Sequence, residues 1–184
     1  MMRWFPVLAL LAACGGSKLD AAIVRELFFK TDGIIGGYAP GDAWSAIKAG
    51  HDPRLTVADK EGAIDGKRSD LHQLRMDLGP GPGDNGVYFQ FRLDGDRANV
   101  VIARAFGEGD NRPIVHALSE EAFHYLGKKL GAEGTCQTAI DAPFAPTSRT
   151  PTSCVWRGNP HVELRRFQNV DGDGSTMLEV EVTK

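Results

Sequence analysis

Val87 to Phe106 reads VYFQFRLDGDRANVVIARAF, and its alternation decides the fold class. Val87, Phe89, Phe91 and Leu93 alternate with polar neighbours, the period of a strand that turns one face to a core. Asp94-Gly95-Asp96 then supplies a tight turn, and a second strand is expected from Asn99 to Phe106. Upstream, Leu74, Met76 and Leu78 alternate in the same way and are joined to this hairpin by Gly79-Pro80-Gly81-Pro82-Gly83. Downstream, Val155-Trp156, Val162 to Phe167 and Met177 to Val182 read as a second strand set. Asp171-Gly172-Asp173-Gly174 is its last hairpin turn.

Helical periods flank these strands. Leu19, Ile23, Leu27 and Phe28 share one helical face, and Ser17 with Asp20 approximates a capping box, so a helix is expected from about Lys18 to Lys30. Asp32-Gly33 to Gly41 reads as a glycine-rich connection, after which Asp42 should cap a short helix carrying Trp44 and Ile47. Gly50 to Ser69 holds neither period and is punctuated by Pro53, Gly62 and Gly66, so it reads as an irregular connection. Ser119, with Glu120 and Glu121, should open a helix whose apolar face is Ala122, Phe123, Leu126 and Leu130, ended by Gly131.

The segments therefore predict an α+β fold of two similar helix-plus-antiparallel-sheet modules, pseudo-duplicated, over residues 18–110 and 111–184. Trp44 and Ile47 correspond to Phe123 and Leu126, and Gly95 to Gly172, at an offset longer than solenoid repeats use. This order of elements resembles the tandem modules of the β-lactamase-inhibitor protein and the related small lipoproteins of outer-membrane assembly. The resemblance implies a binding surface on the open face of the sheet rather than a catalytic pocket, and it transfers no site residues.

The start of the chain speaks to location. Met1 to Cys14 reads MMRWFPVLALLAAC, with a basic residue at Arg3 and an apolar run too short to span a bilayer. Leu11-Ala12-Ala13-Cys14 resembles the lipobox of bacterial lipoproteins. The resemblance implies a signal peptide at 1–13, a lipidated tether at 14–17 and a periplasmic domain at 18–184, with Cys14 acylated and the bilayer as its first partner. An ordinary signal peptide cleaved after Gly15 is the alternative. Gly15-Gly16-Ser17 lacks the aspartate that in many Gram-negative bacteria retains lipoproteins at the inner membrane, which favours the outer membrane.

With Cys14 committed to lipid, Cys136 and Cys154 remain as an even pair outside the reducing cytosol, and a disulfide between them is expected. Two free thiols would be the other reading, but no Cys-x-x-Cys pattern or nearby histidine pair supports it. The 184 residues carry a formal net charge of -3, and Lys128-Lys129 and Arg165-Arg166 are too few and too far apart to track phosphates. Nucleic acid is therefore excluded as a partner. The expected partner is a protein or another envelope component.

Other motifs are weak. Asn169-x-Asp171-x-Asp173-Gly174 imitates the start of a calcium loop, but its twelfth position falls on Val180, and a hairpin turn explains it. Glu121-Ala122-Phe123-His124 has metal-ligand spacing without a second copy, and Gly62 to Arg68 reads as a basic turn. No Gly-x-Ser-x-Gly signature occurs, and no catalytic residue, metal site or cofactor is assigned. The leading expectation is a membrane-anchored, non-enzymatic binding or scaffold lipoprotein. The alternatives are an inhibitor of an envelope or extracellular hydrolase, and an envelope enzyme using His51 or His116; adjacent His51-Asp52 would be its acid-base pair.

Overall fold

The computed structural model describes residues 19–64, 67–77, 85–137, 153–168 and 175–184. Within them, three helices and one eight-stranded antiparallel sheet make an α+β fold. In chain order these are α1 (Ala21–Phe28), α2 (Trp44–Gly50), β1 (Thr56–Ile64), β2 (Lys67–Asp77), β3 (Gly86–Asp94) and β4 (Arg97–Gly107). There follow α3 (Arg112–Leu130), β5 (Thr135–Gln137), β6 (Ser153–Trp156), β7 (His161–Gln168) and β8 (Thr176–Thr183). In space the strands run β1-β2-β3-β4-β8-β7-β6-β5, so the last strand of each four-stranded meander meets the other at the centre.

The alternation read at Val87 to Phe91 places the core. Val87, Phe89 and Phe91 oppose Ala105, Ala103 and Val101 of β4, which in turn oppose Leu178, Val180 and Val182 of β8. All nine are buried. All three helices lie on this one side: Phe28 of α1 stacks on Phe89, Trp44 of α2 on Phe91, and α3 packs across β4 and β8. The small core-facing Ala103 and Ala105 let α3 come close. Its buried stripe is Val115, Leu118, Ser119, Ala122 and Leu126, the spacing of one helix face.

Several boundaries differ from expectation, each for a local reason. α3 begins at Arg112, not at Ser119, because Pro113 in its first turn suits a helix start. Ser119 lies inside it, and its hydroxyl donates to the Val115 carbonyl at 2.8 Å. The end at Gly131 is as read. α1 starts after Asp20, whose carboxylate accepts the N–H groups of Ala22 at 2.8 Å and Ile23 at 3.3 Å, while Ser17 lies outside the described residues. α1 ends at Phe28, short of Lys30, and the Phe28 carbonyl accepts the N–H of Gly36 at 2.8 Å. Gly36 sits at φ +64, and a Cβ there would stand 2.2 Å from the Phe89 ring, so only glycine lets this loop close over the core.

Asp42 does not cap α2. It accepts the N–H of Ala39 at 2.8 Å inside its own turn. The start of α2 is instead held from the β3–β4 hairpin: Trp44 N–H reaches the Asp96 carbonyl at 2.7 Å, and the Asp96 carboxylate accepts from Ser45 N–H at 3.2 Å and Ser45 Oγ at 2.7 Å. That two-residue hairpin turns on Gly95, at φ +60, as the Asp-Gly-Asp reading requires.

The largest correction is within Gly50 to Ser69: residues 51–55 form an irregular connection as read, but Thr56–Ile64 is β1 and Lys67 to Ser69 begins β2, in register from Thr56↔Arg75 to Ile64↔Lys67. Position explains the miss. β1 is an edge strand, held by ladder bonds to one neighbour, and edges carry charged residues that discourage further pairing; its Asp59-Lys60-Glu61 run hides the strand period. Gly62 to Arg68 therefore belongs to a hairpin, with 65–66 outside the described residues. The short β5 was also not foreseen. It is joined to β6 by the Cys136–Cys154 disulfide, the two residues facing one another in the ladder with Cα atoms 4.1 Å apart. The expected turns at 79–83 and 171–174, with the calcium-like residues, lie outside the described residues, as do Leu78 and Cys14.

Candidate binding face

The residues between the core positions point to the opposite side of the sheet, on which no described helix packs. One row across it is Tyr88, Arg104, Glu179 and Arg165, each opposite the next on β3, β4, β8 and β7. Glu179 is only 5% exposed, which would be costly for a lone carboxylate. Two arginines compensate. Arg104 donates through Nε at 2.7 Å and lies within 2.6 Å through Nη2, and Arg165 donates from the other flank at 3.0 Å.

The network extends outward. Arg104 also donates to Gln90 at 2.8 Å; Arg165 donates to Glu163, whose second oxygen meets His161 Nε2 at 3.1 Å. The hydrogen bond from His161, with the charge of Arg165, holds the Glu163 carboxyl below its usual range against the opposing effect of burial. Burial alone would weaken the Arg165 charge, but its bonds to Glu179 and Glu163 raise its affinity for the proton. Long side chains that would otherwise sample many rotamers are thereby fixed in one arrangement.

A second row lies one step toward the end of the sheet where α3 begins: Phe106, Met177 and Phe167, consecutive on β4, β8 and β7. Phe167 is 38% exposed, the one large hydrophobic residue among the described residues that reaches into solvent to this degree. In the other direction Ile102 is buried at 3% between Gln90 and Glu181.

The residues considered for catalysis do not converge. His51 and Asp52 are turned to different partners: His51 Nδ1 meets the Lys48 carbonyl at 2.7 Å. Asp52 accepts from Arg54 N–H at 3.0 Å, Nε at 2.8 Å and Nη2 at 2.7 Å, with Lys30 at 3.5 Å. The Arg54 hydrogen bonds hold Asp52 well below the ordinary carboxylate range, so it is a fixed anion rather than a base. His116 sits on α3, 3.2 Å from Arg166 Nη1 and 3.8 Å from Glu120, half-buried on the helix surface rather than in a closed pocket. Glu121 pairs with Arg25 across the α1–α3 contact, and His124 leans on Phe123 with centroids 5.4 Å apart. An open groove of about 610 Å³ runs beside His124, Lys128 and Glu133 at the end of α3.

Among the described residues no three His, Cys, Asp or Glu side chains gather as metal ligands, and no helix is long and apolar enough to cross a membrane. No protein-family model, curated protein or solved structure matches the chain. The α+β class and the disulfide therefore rest on the chain's own geometry. The sequence reading did not single out Arg104, Glu163 or Glu179. Their signal was present as the polar half of the β4, β7 and β8 alternation, but only the strand order 4-8-7 brings them together.

Proposed function

We propose that this chain is a membrane-anchored lipoprotein of the bacterial envelope that uses the uncovered face of its sheet to bind a protein or another envelope component. The observation that carries the reading is the locked Arg104–Glu179–Arg165 row, flanked by Tyr88. A face that keeps arginine side chains in fixed positions loses little conformational freedom on association, which favours recognition over chemistry. The lipobox-like Leu11-Ala12-Ala13-Cys14 supports the anchor, with the domain facing the periplasm from the outer membrane.

The finer architecture belongs to the same proposal. Residues 18–110 and 111–184 are read as two similar modules, each a helical part followed by four strands, β1–β4 and β5–β8, related about the β4–β8 junction. Such a pairing doubles the width of the sheet and so the area available to a partner.

Two experiments test the reading. Cys14→Ser should release the protein from membranes with loss of its acyl mass; retention with the acyl group intact contradicts the anchor. Tyr88→Ala combined with Arg92→Glu, an exposed residue on the same face of β3 opposite Val100, should lower co-purification of envelope proteins at least about tenfold while leaving the thermal midpoint near that of the native chain. Unchanged co-purification contradicts the binding face.

A further inference from the structure

The first described residue is tied firmly to one end of the sheet, and this fixes which end would face a bilayer. Leu19 is buried, and its N–H donates to the Asn111 side-chain oxygen at 2.8 Å. Asn111 is itself buried just before α3, four residues after Gly107, the last residue of β4; a Cβ on Gly107 would lie 2.8 Å from the Asn111 carbonyl. Cys14 precedes Leu19 by five residues, a reach of at most about 17 Å at full extension. A lipid attached at Cys14 therefore keeps the Gly107 end of the sheet close to the membrane.

The apolar row lies at that same end. Gly107 opposes Thr176 and Thr176 opposes Gln168, while the next residues inward are Phe106, Met177 and Phe167 in register. Two strand spacings separate β4 from β7, so Phe167 stands only about 10 Å from the anchored strand end. The exposed aromatic ring and the fixed Leu19 thus belong to the same end of the sheet. We propose that this rim is a lipid-contact surface, with Phe167 and Met177 resting in the headgroup–acyl boundary of the bilayer that holds the acylated Cys14. The occupant is the bilayer because an acyl group on Cys14, five residues before the buried Leu19, stays within reach of this edge. Contact there would stand the sheet with its strands steep to the membrane plane and keep the Arg104–Glu179–Arg165 row accessible from the side. This inference rests on the lipid-anchor reading and adds an orientation to it.

The test uses the full chain in its native envelope. p-Benzoyl-phenylalanine is placed at position 167, or at position 92 on the same face near the other strand ends, and irradiated. Adducts are separated by mass, and the acyl mass on Cys14 is measured in the same sample. The expected result is at least about fivefold more phospholipid adduct at 167 than at 92, with Cys14 acylated. Equal or absent lipid adducts on an acylated chain overturn the rim proposal and leave the anchor standing. A protein adduct in place of lipid at 167 also overturns it, assigning the rim to a partner. An unmodified Cys14 in a freely soluble chain overturns the anchor itself.

Discussion

On the helix side of the sheet, Phe89 packs against Phe28 and Tyr38 with ring centroids 5.7 and 5.3 Å apart, and none of its own surface reaches solvent. On the other side, Glu179 is almost as buried, yet its neighbours are two arginines whose side chains are 32% and 38% exposed. The same two-residue period builds both faces. The first is held by removing apolar surface from water, which needs only volume and shape. The second is held by directional charge-assisted bonds, which fix particular atoms in particular places. A core can be made from many apolar sets, whereas a patterned charged face is a choice with consequences for what it can meet.

The contrast can be broken from either side. Phe89→Ala empties a site enclosed by aromatic rings and should cost about 4 kcal/mol of unfolding free energy, read by chemical denaturation. A loss below about 1 kcal/mol would mean that the loop at Gly36 collapses into the gap. The Cys136→Ser, Cys154→Ser double variant opens the loop between β5 and β6, whose ends are 18 positions apart, and should cost about 3 kcal/mol in the same assay. Glu179→Ala leaves two arginines facing each other, but their partial exposure lets water reach them, so its cost should be smaller, about 2 kcal/mol. If Glu179→Ala equalled Phe89→Ala, the charged face would be as structural as the core.

Titration separates the faces more gently. Glu163 is held below its usual value, so its contribution is complete above the unfolded carboxyl value of about 4.3 and is lost as pH falls through the lower folded value. The stability difference between the native chain and Glu163→Gln should therefore shrink below about pH 4. Tyr38, on the core side, is pushed up to about 12 by burial, with Asp52 adding to the effect. Its contribution is complete below about pH 10 and is lost as pH rises toward that folded value, so a Tyr38→Phe chain should resist alkali better than the native one. Acid thus probes the charged face and alkali the core.

How much of this was legible in the chain follows the same division. Residues that alternate against a covered face, such as Val87 to Phe91 and Val162 to Leu164, announce their strands because burial demands the period. The edge strand at Thr56–Ile64 does not, since nothing requires an apolar period of a strand paired on one side. The start of α2 was misassigned because its stabilising group comes from far away: Asp96, 51 positions from Ser45, holds it in place of Asp42. The charged row was invisible for a similar reason, since Arg104 and Glu179 are 75 positions apart and become neighbours only when β4 pairs with β8. The cysteine pair was readable from its even number once Cys14 was set aside, and it joins as expected.

The most direct test of the account is a photocrosslinking map of the two sides of the domain in living cells. p-Benzoyl-phenylalanine at Gln90 and Glu181, on the face that no described helix covers, is compared with the same group at Ala117, exposed on α3. Protein or envelope adducts at 90 and 181 but not at 117 are the result predicted here. Adducts at 117 alone would place recognition on the helices and contradict the assignment of the sheet face.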